Sequence, residues 1–123
     1  MNILLQKMEN IHFEENEFLN WLQSTDYNGA ISLTVKFYVK ADQVSKFREI
    51  MKTMVEYSNS DHGALMYKLH VDYKDSTVFW LTEEWAKVSD LKNHATDEKH
   101  GKTAKLLATT LRAPSHVGLY KSL

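Results

Sequence analysis

The sequence predicts an α+β fold of the ferredoxin-like type, in which the order βαββαβ forms an antiparallel sheet with helices on one face. Two observations predict it. Four segments alternate apolar and polar residues or are rich in β-branched and aromatic residues, as strands are. Two stretches that lie between strands carry apolar residues at three- and four-residue intervals, as helices do. Helices would cover only one sheet face, and face-to-face dimerisation would cover the other.

The size and composition of the chain predict one core and exclude several classes of protein. The chain has 123 residues, 43% hydrophobic and 25% charged, which fits one globular domain. Its net charge is −1 and its basic residues are scattered, so no nucleic-acid surface is predicted. It has no cysteine, which excludes disulfides and thiolate metal sites and favours a cytoplasmic location. No signal peptide or membrane span is predicted.

Residues 1–29 differ from the rest and are predicted to be a partly helical N-terminal extension to a domain at 30–123. Phe18, Leu19, Trp21 and Leu22 share one side of a helix. We expect that side to dock on the domain or on a partner subunit, and a free leader is the alternative. The stretch STDYNG then supplies a turn.

The first strand and helix of the domain follow this turn. ISLTVKFYVK, residues 31–40, alternates from Ile31 to Val39 and predicts a strand. Asp42 is a candidate cap for the following helix, whose apolar residues recur at helical intervals. That helix should end near SNSDHG, where Gly63 permits a turn.

A hairpin and a second helical region complete the predicted domain. Residues 64–73 alternate, KDS is a turn, and residues 77–85 are β-branched and aromatic. Ser89 and Asp90 then open a short helix, and residues 97–111 predict another. Pro114 should stop that helix, and SHVGLYKSL predicts the last strand.

Glu83 is a candidate catalytic base, because it lies on an apolar face of its strand. Phe79, Leu81, Glu83 and Trp85 alternate along the strand and therefore share a face. A carboxylate among apolar side chains must be paired or have a raised pKa, since burial disfavours its charge. The alternative role is a salt bridge across a dimer interface. Tyr67 on the neighbouring strand is a candidate source of a hydroxyl in the same cavity.

His94 and His100 are six residues apart, so a continuous helix would not place them on one face. A metal site would need a third ligand, such as His70, Glu83 or His116. Capping or surface roles between two helices are one alternative. Proton transfer in a pocket is another, because the imidazole pKa is near neutrality.

Glu83-x-Trp85, followed by a short helix with His94 and then by His100 before the long helix, resembles the antibiotic biosynthesis monooxygenase family. The resemblance covers about Ile31 to Tyr120. It implies a homodimer whose sheets close an α/β barrel, with one pocket per subunit. It also implies oxygenation of quinols or polyphenols without metal or flavin. Glu83, His94 and His100 would be catalytic, and the substrate-binding wall would be formed by Trp85, Tyr67, Leu81 and Phe79.

One further comparison concerns heme, and two alternative functions stay open. The heme-degrading relatives carry an asparagine and a histidine where this chain aligns Val35 and Ala104, so heme is disfavoured and no cofactor is expected. One alternative function is isomerisation of a small signalling phosphate, for which Lys68, Lys87 and Lys92 are candidate basic residues. Another is a non-catalytic dimeric ligand-binding or stress protein, whose cavity would be filled by side chains.

Overall fold

The computed structural model describes residues 12–13, 15–121 and 123. The elements in chain order are β1 (His12–Phe13), α1 (Glu15–Ser24), β2 (Ile31–Val39), a 3-10 turn (Ala41–Gln43), α2 (Val44–Asn59), β3 (Ala64–Val71), β4 (Val78–Trp85), α3 (Val88–Thr96), α4 (Glu98–Ala108) and β5 (Leu111–Lys121). The antiparallel sheet has the order β1-β5-β2-β4-β3. Its four long strands have ferredoxin-like topology, which confirms the predicted fold class, and β1 adds a short fifth strand. None of the described helices is long and apolar enough to cross a membrane.

Strand β2 lies at the centre of the sheet, between β4 and β5. Its odd-numbered residues from Ile31 to Val39 are buried and its even-numbered residues are half-buried. The buried face packs against the helices, where Phe47 of α2 lies between Phe37 and Phe79 with ring centroids 5.3 and 4.7 Å away. The alternation in the sequence therefore separates the helix-covered face from the other face of the sheet.

The edge strand β3 is covered only in part. Tyr67 is buried, whereas Leu65 and Val71 on the same strand are 65% and 51% exposed. The predicted strand extended to Tyr73, but β3 ends at Val71 and Tyr73 is 98% exposed. Because β3 has a neighbour on one side only, apolar residues toward its ends stay in solvent.

The two ends of α2 differ in how well the sequence predicted them. Asp42 does not cap the helix, because a 3-10 turn intervenes and the N-cap residue, Gln43, makes no side-chain cap hydrogen bond. The helix ends at Asn59, and Gly63 in the following turn has a φ of 82°. A Cβ at Gly63 would collide with the Asp90 carboxylate, so both backbone and space favour glycine there.

The last helix is shorter than predicted, and Pro114 does not stop it. Helix α4 ends at Ala108, where the hydroxyls of Thr109 and Thr110 donate to the carbonyls of Leu106 and Leu107. β-Branched threonines that bond to the preceding turn weaken a helix. Pro114 lies inside β5, where the pairing with β2 shifts register, and an irregularity in a strand tolerates a residue without N–H.

Of the residues before 30, those of β1 and α1 lie against the sheet and the helices. Strand β1 pairs with β5 through His12 opposite Gly118 and Phe13 opposite Val117. Helix α1 contacts β5 and α3, and its Phe18 and Leu22 are buried. The apolar side of α1 therefore packs on the sheet and on α3 of its own chain.

Candidate functional site

A cavity of about 380 Å³ lies between the helix-facing side of the sheet and helix α4, with α1 and α2 adding to its wall. Most of its lining is apolar. The polar side chains that line it are those of Tyr67, Glu83, His100, Lys105 and Ser115. An apolar cavity with a few polar groups is typical of small-molecule sites.

The register of the sheet places Glu83 and Tyr67 toward one end of this cavity. Glu83 pairs with Leu33 on one side and with Tyr67 on the other. Phe37, which also lines the cavity, lies four residues beyond Leu33 along β2, or about 13 Å at the rise of a strand. The cavity therefore has a carboxyl and a phenol at one end and an aromatic ring toward the other.

Glu83 is buried and makes one side-chain hydrogen bond to the residues that the structure describes. The indole N–H of Trp85 donates to its Oε1 at 2.9 Å. Burial raises the pKa of Glu83 from 4.5 to about 7, although the Trp85 hydrogen bond acts in the opposite direction. Near neutral pH the carboxyl is therefore divided between its acid and base forms, as suits a general base.

The helical path is interrupted at Asp97, between α3 and α4, and this brings the two histidines together. Helix α3 ends at Thr96, Asp97 has an extended ψ of 140°, and its carboxylate accepts hydrogen bonds from the N–H groups of Lys99 and His100. This cap begins α4 in a new direction. The rings of His94 and His100 consequently lie with their centroids 4.2 Å apart, in contact that one continuous helix would not allow.

His94 lies behind the cavity wall, not in it. Its Nδ1 is 2.7 Å from Oδ2 of Asp61, in the turn after α2, and its ring centroid is 4.8 Å from that of Trp85. Burial lowers the pKa of His94 despite the opposing effect of Asp61. A neutral His94 with its proton on Nδ1 donates to Asp61, which fixes the orientation of the ring.

His100 lines the cavity and contacts Tyr57 of α2. Its Nδ1 is 3.0 Å from the Tyr57 hydroxyl. Burial, and secondly repulsion from His94, lowers the pKa of His100 to about 4. The imidazole is therefore neutral near pH 7, and it offers the cavity a polar group without a charge.

The structure divides the other predicted site residues between the cavity and its surroundings. Tyr67 and Leu81 line the cavity, and burial, together with the nearby Glu83, raises the pKa of Tyr67 well above 10.0. Trp85 is fully buried and supports Glu83 from behind. Phe79 packs against Phe47 in the core and does not line the cavity.

The basic and metal-binding candidates do not gather at this site. Lys105 lines the cavity, whereas Lys68, Lys87 and Lys92 do not. His70 contacts Thr82 at 3.2 Å and His116 contacts Tyr38 at 3.5 Å, outside the cavity. Within residues 12–13, 15–121 and 123, no three His, Cys, Asp or Glu side chains form a group suited to a metal ion.

Several residues of the site carried no signal in the sequence. The sequence places Asp61 in a turn and Tyr57 in a helix and gives neither a functional role, yet these two residues contact His94 and His100. Phe18 and Leu19 of α1 line the cavity, although sequence reasoning predicted only that their helix side would dock. A polar residue in a turn that follows a helix was the only available indication of Asp61.

A second, larger depression of about 1030 Å³ lies on the surface of the protein, between α2 and β3. It is an open groove with charged side chains such as Arg48, Lys52 and Lys68 along it. It shares Tyr67 with the cavity but does not include Glu83 or His100. The more enclosed cavity is therefore the better candidate for a catalytic site, because burial shifts the pKa values of Glu83 and His100, which line it.

Comparison with known proteins relates this site to one family. The family model described as antibiotic biosynthesis monooxygenase matches residues 30–106, which include Glu83, Trp85 and both histidines. The comparison with curated proteins finds no match.

Solved structures share the fold. A conserved protein from Methanosarcina mazei Go1 is 21% identical with a TM-score of 0.74, and the alignment covers 76% of this chain and 93% of that one. A structure titled antibiotic biosynthesis monooxygenase is 22% identical with a TM-score of 0.72, over 76% and 98% of the two chains. A Pseudomonas aeruginosa protein is 19% identical with a TM-score of 0.71, over 80% and 99%.

At these identities the structures support the fold, and the family model, which matches more than half of the chain, supports the sequence relationship. The chain belongs to the antibiotic biosynthesis monooxygenase family.

Proposed function

We propose that this protein is a monooxygenase that uses no metal or flavin and oxidises a small aromatic or quinol-like substrate with O₂. The observation that carries the proposal is Glu83, a buried carboxyl with a pKa of about 7 on the wall of an apolar cavity of about 380 Å³. A base of that strength, held away from water, suits removal of a phenolic proton.

In the proposed reaction the substrate supplies all the electrons. The Glu83 carboxylate takes a proton from a substrate hydroxyl or activated carbon, and the resulting anion donates electrons to O₂ and forms a carbon–oxygen bond. The hydroperoxide so formed loses water and leaves a carbonyl, so that one oxygen atom stays on the substrate, which gives up two hydrogens and is oxidised by the four electrons that O₂ accepts. The other oxygen atom leaves as water together with both protons.

The residues around Glu83 support its role as the base and supply hydrogen-bond partners for the substrate. His100 is neutral near pH 7 and lines the cavity, so it serves as a hydrogen-bond partner for a substrate oxygen and Glu83 serves as the base. Tyr67 holds its phenolic proton because its pKa is raised, and it acts as a second donor. Asp61 and His94 act behind them as positioning residues.

We further propose that two copies form a homodimeric α/β barrel through the sheet face that the helices leave uncovered. That face carries half-buried side chains, among them Tyr38, Trp80 and His116. Aromatic residues on an unpartnered sheet face favour an interface. Light scattering during size-exclusion chromatography should give the mass of a dimer, and a Trp80→Glu variant should give the mass of a monomer.

We also propose that residues 1–29 are an extension added to a family domain at 30–123. The family match begins at residue 30, which supports this boundary. Helix α1 precedes it and packs on the sheet and on α3. A protein expressed from residue 30 that retains a cooperative unfolding transition would support the division, whereas one that does not fold would contradict it.

Oxygen uptake tests the proposed reaction. Metal-stripped protein, given a panel of reduced quinols and polyphenols, should consume O₂ above the rate of autoxidation, and Glu83→Gln should abolish the excess. Glu84→Gln is the matched control, because Glu84 lies on the opposite face of the same strand. Uptake that is equal in Glu83→Gln, or absent across the panel, contradicts the proposal and favours an isomerase or a ligand-binding protein.

A further inference from the structure

Helix α4 contains a glycine that its backbone does not require. Gly101 lies within the helix, one residue after His100, and its φ is not positive. A glycine inside a helix destabilises it relative to alanine. Some other requirement therefore has to account for glycine at this position.

Close packing does not supply that requirement. A Cβ placed on Gly101 would have no atom within 4 Å, whereas a Cβ at Gly29 or Gly63 would collide with a neighbouring side chain. Gly101 is thus the one of these three glycines beside which a side chain has room. The room belongs to the cavity, because Gly101 is part of its lining.

The direction of the helix places this space toward the end of the cavity that holds Glu83, because α4 runs on into Leu111, which pairs with Val39 at the other end. Residues 101, 104 and 108 follow one another at helical spacing and all line the cavity, so Gly101 lies on the stripe of α4 that faces it. Its neighbour His100 lines the same cavity as the buried carboxyl of Glu83. A side chain at 101 would consequently occupy volume next to the groups that contact the reacting part of a substrate.

We infer that Gly101 determines the size of substrate that the cavity accepts, by leaving open the space beside His100. This inference rests on the proposed function, since it assigns a fused-ring hydroxyarene to that space. On this inference a single aromatic ring can bind without using the space beside residue 101. A ligand of three fused rings needs that space, so its binding depends on the absence of a side chain at residue 101.

Calorimetric titration under nitrogen with two hydroxyarene probes, 2-naphthol and 9-phenanthrol, tests the inference. Wild-type protein should bind both. Gly101→Leu should weaken binding of 9-phenanthrol by about tenfold and that of 2-naphthol much less, because added methylenes exclude the larger probe first. Gly101→Ala should cause a smaller loss in the same order while raising the midpoint of thermal unfolding.

Lys102→Leu is the matched control. It places a leucine one position further along α4, on the exposed side of the helix and outside the cavity lining. Its affinities should equal those of the wild type. Equal weakening of both probes by Gly101→Leu, no weakening, or failure of the wild type to bind either probe would overturn the inference. Size-dependent binding without oxygen uptake would uphold Gly101 as a determinant of ligand size and reject only the oxygenase reaction.

Discussion

The indole nitrogen of Trp85 lies 2.9 Å from Oε1 of Glu83, and both side chains are almost completely buried. The two residues are separated by Glu84, so the alternation of the strand turns them to the same face. The hydrogen bond favours the carboxylate, whereas burial favours the neutral acid, and burial has the larger effect. The pKa of Glu83 is thus set by the opposing effects of burial and of the Trp85 hydrogen bond, and substitution of Trp85 should change it.

Glu83→Gln should change how stability depends on pH. The folded pKa is raised from 4.5 to about 7, so between these values the folded state binds more protons than the unfolded state. Stability is therefore fully retained below about pH 4.5 and falls as the pH rises toward 7, by about 3 kcal/mol in all. The variant lacks this decline.

Urea denaturation of both proteins across this pH range measures the difference. The curve of Glu84→Gln, the neighbour on the opposite sheet face, should follow that of the wild type. Parallel curves for wild type and Glu83→Gln would mean that Glu83 does not titrate with a raised pKa.

Trp85→Phe should raise the pKa of Glu83 further, because the substitution removes the donor and keeps the burial. A hydrogen bond to a charged group contributes enough to shift the pKa by about one pH unit. Carbon NMR of the labelled carboxyl gives the pKa directly. Trp80→Phe on the other sheet face is the control, and an unchanged pKa in Trp85→Phe would show that the indole N–H does not stabilise the carboxylate.

Asp61→Asn should lower the pKa of His94, since the carboxylate is what opposes the effect of burial on this ring. It should also loosen the ring, with a loss of about 1 kcal/mol in stability. Nitrogen NMR of labelled histidines would show both the pKa and the tautomer. Asp26→Asn, at an exposed position in the loop before β2, should leave the His94 signals unchanged. If the pKa of His94 is unchanged in Asp61→Asn, the carboxylate does not oppose the effect of burial on this ring.

Phe18→Ala should both destabilise the protein and enlarge the cavity. Phe18 is 9% exposed and lines the cavity from α1. Its truncation should lower the free energy of unfolding by about 3 kcal/mol, as is typical of a buried phenylalanine. Chemical denaturation checks the cost, and Gln23→Ala on the exposed side of α1 is the control. A cost as small as that of the control would mean that α1 adds little to the core.

Local patterns predicted the strands and the shared face of Glu83 and Trp85 because a strand fixes the direction of each side chain by its position. They could not predict that His94 and His100 meet, since the contact depends on the break at Asp97. They also placed Pro114 at a helix end, because nothing local indicates that two strands will shift register there. Contacts made across the fold, such as that of Asp61 with His94, follow from packing and not from periodicity.

The central position of β2 has a consequence for how the molecule folds. Ile31 pairs with Lys121 and Val35 with Val117, so the first long strand meets a partner about 90 residues later in the chain. Pairing of such distant segments carries a large entropy of loop closure and slows folding. During synthesis, the wall formed by Val35 and Val117 cannot exist until β5 has left the ribosome. The cavity is therefore among the last parts of this protein to form, and until then β2 presents an unpaired edge that association with another chain could occupy.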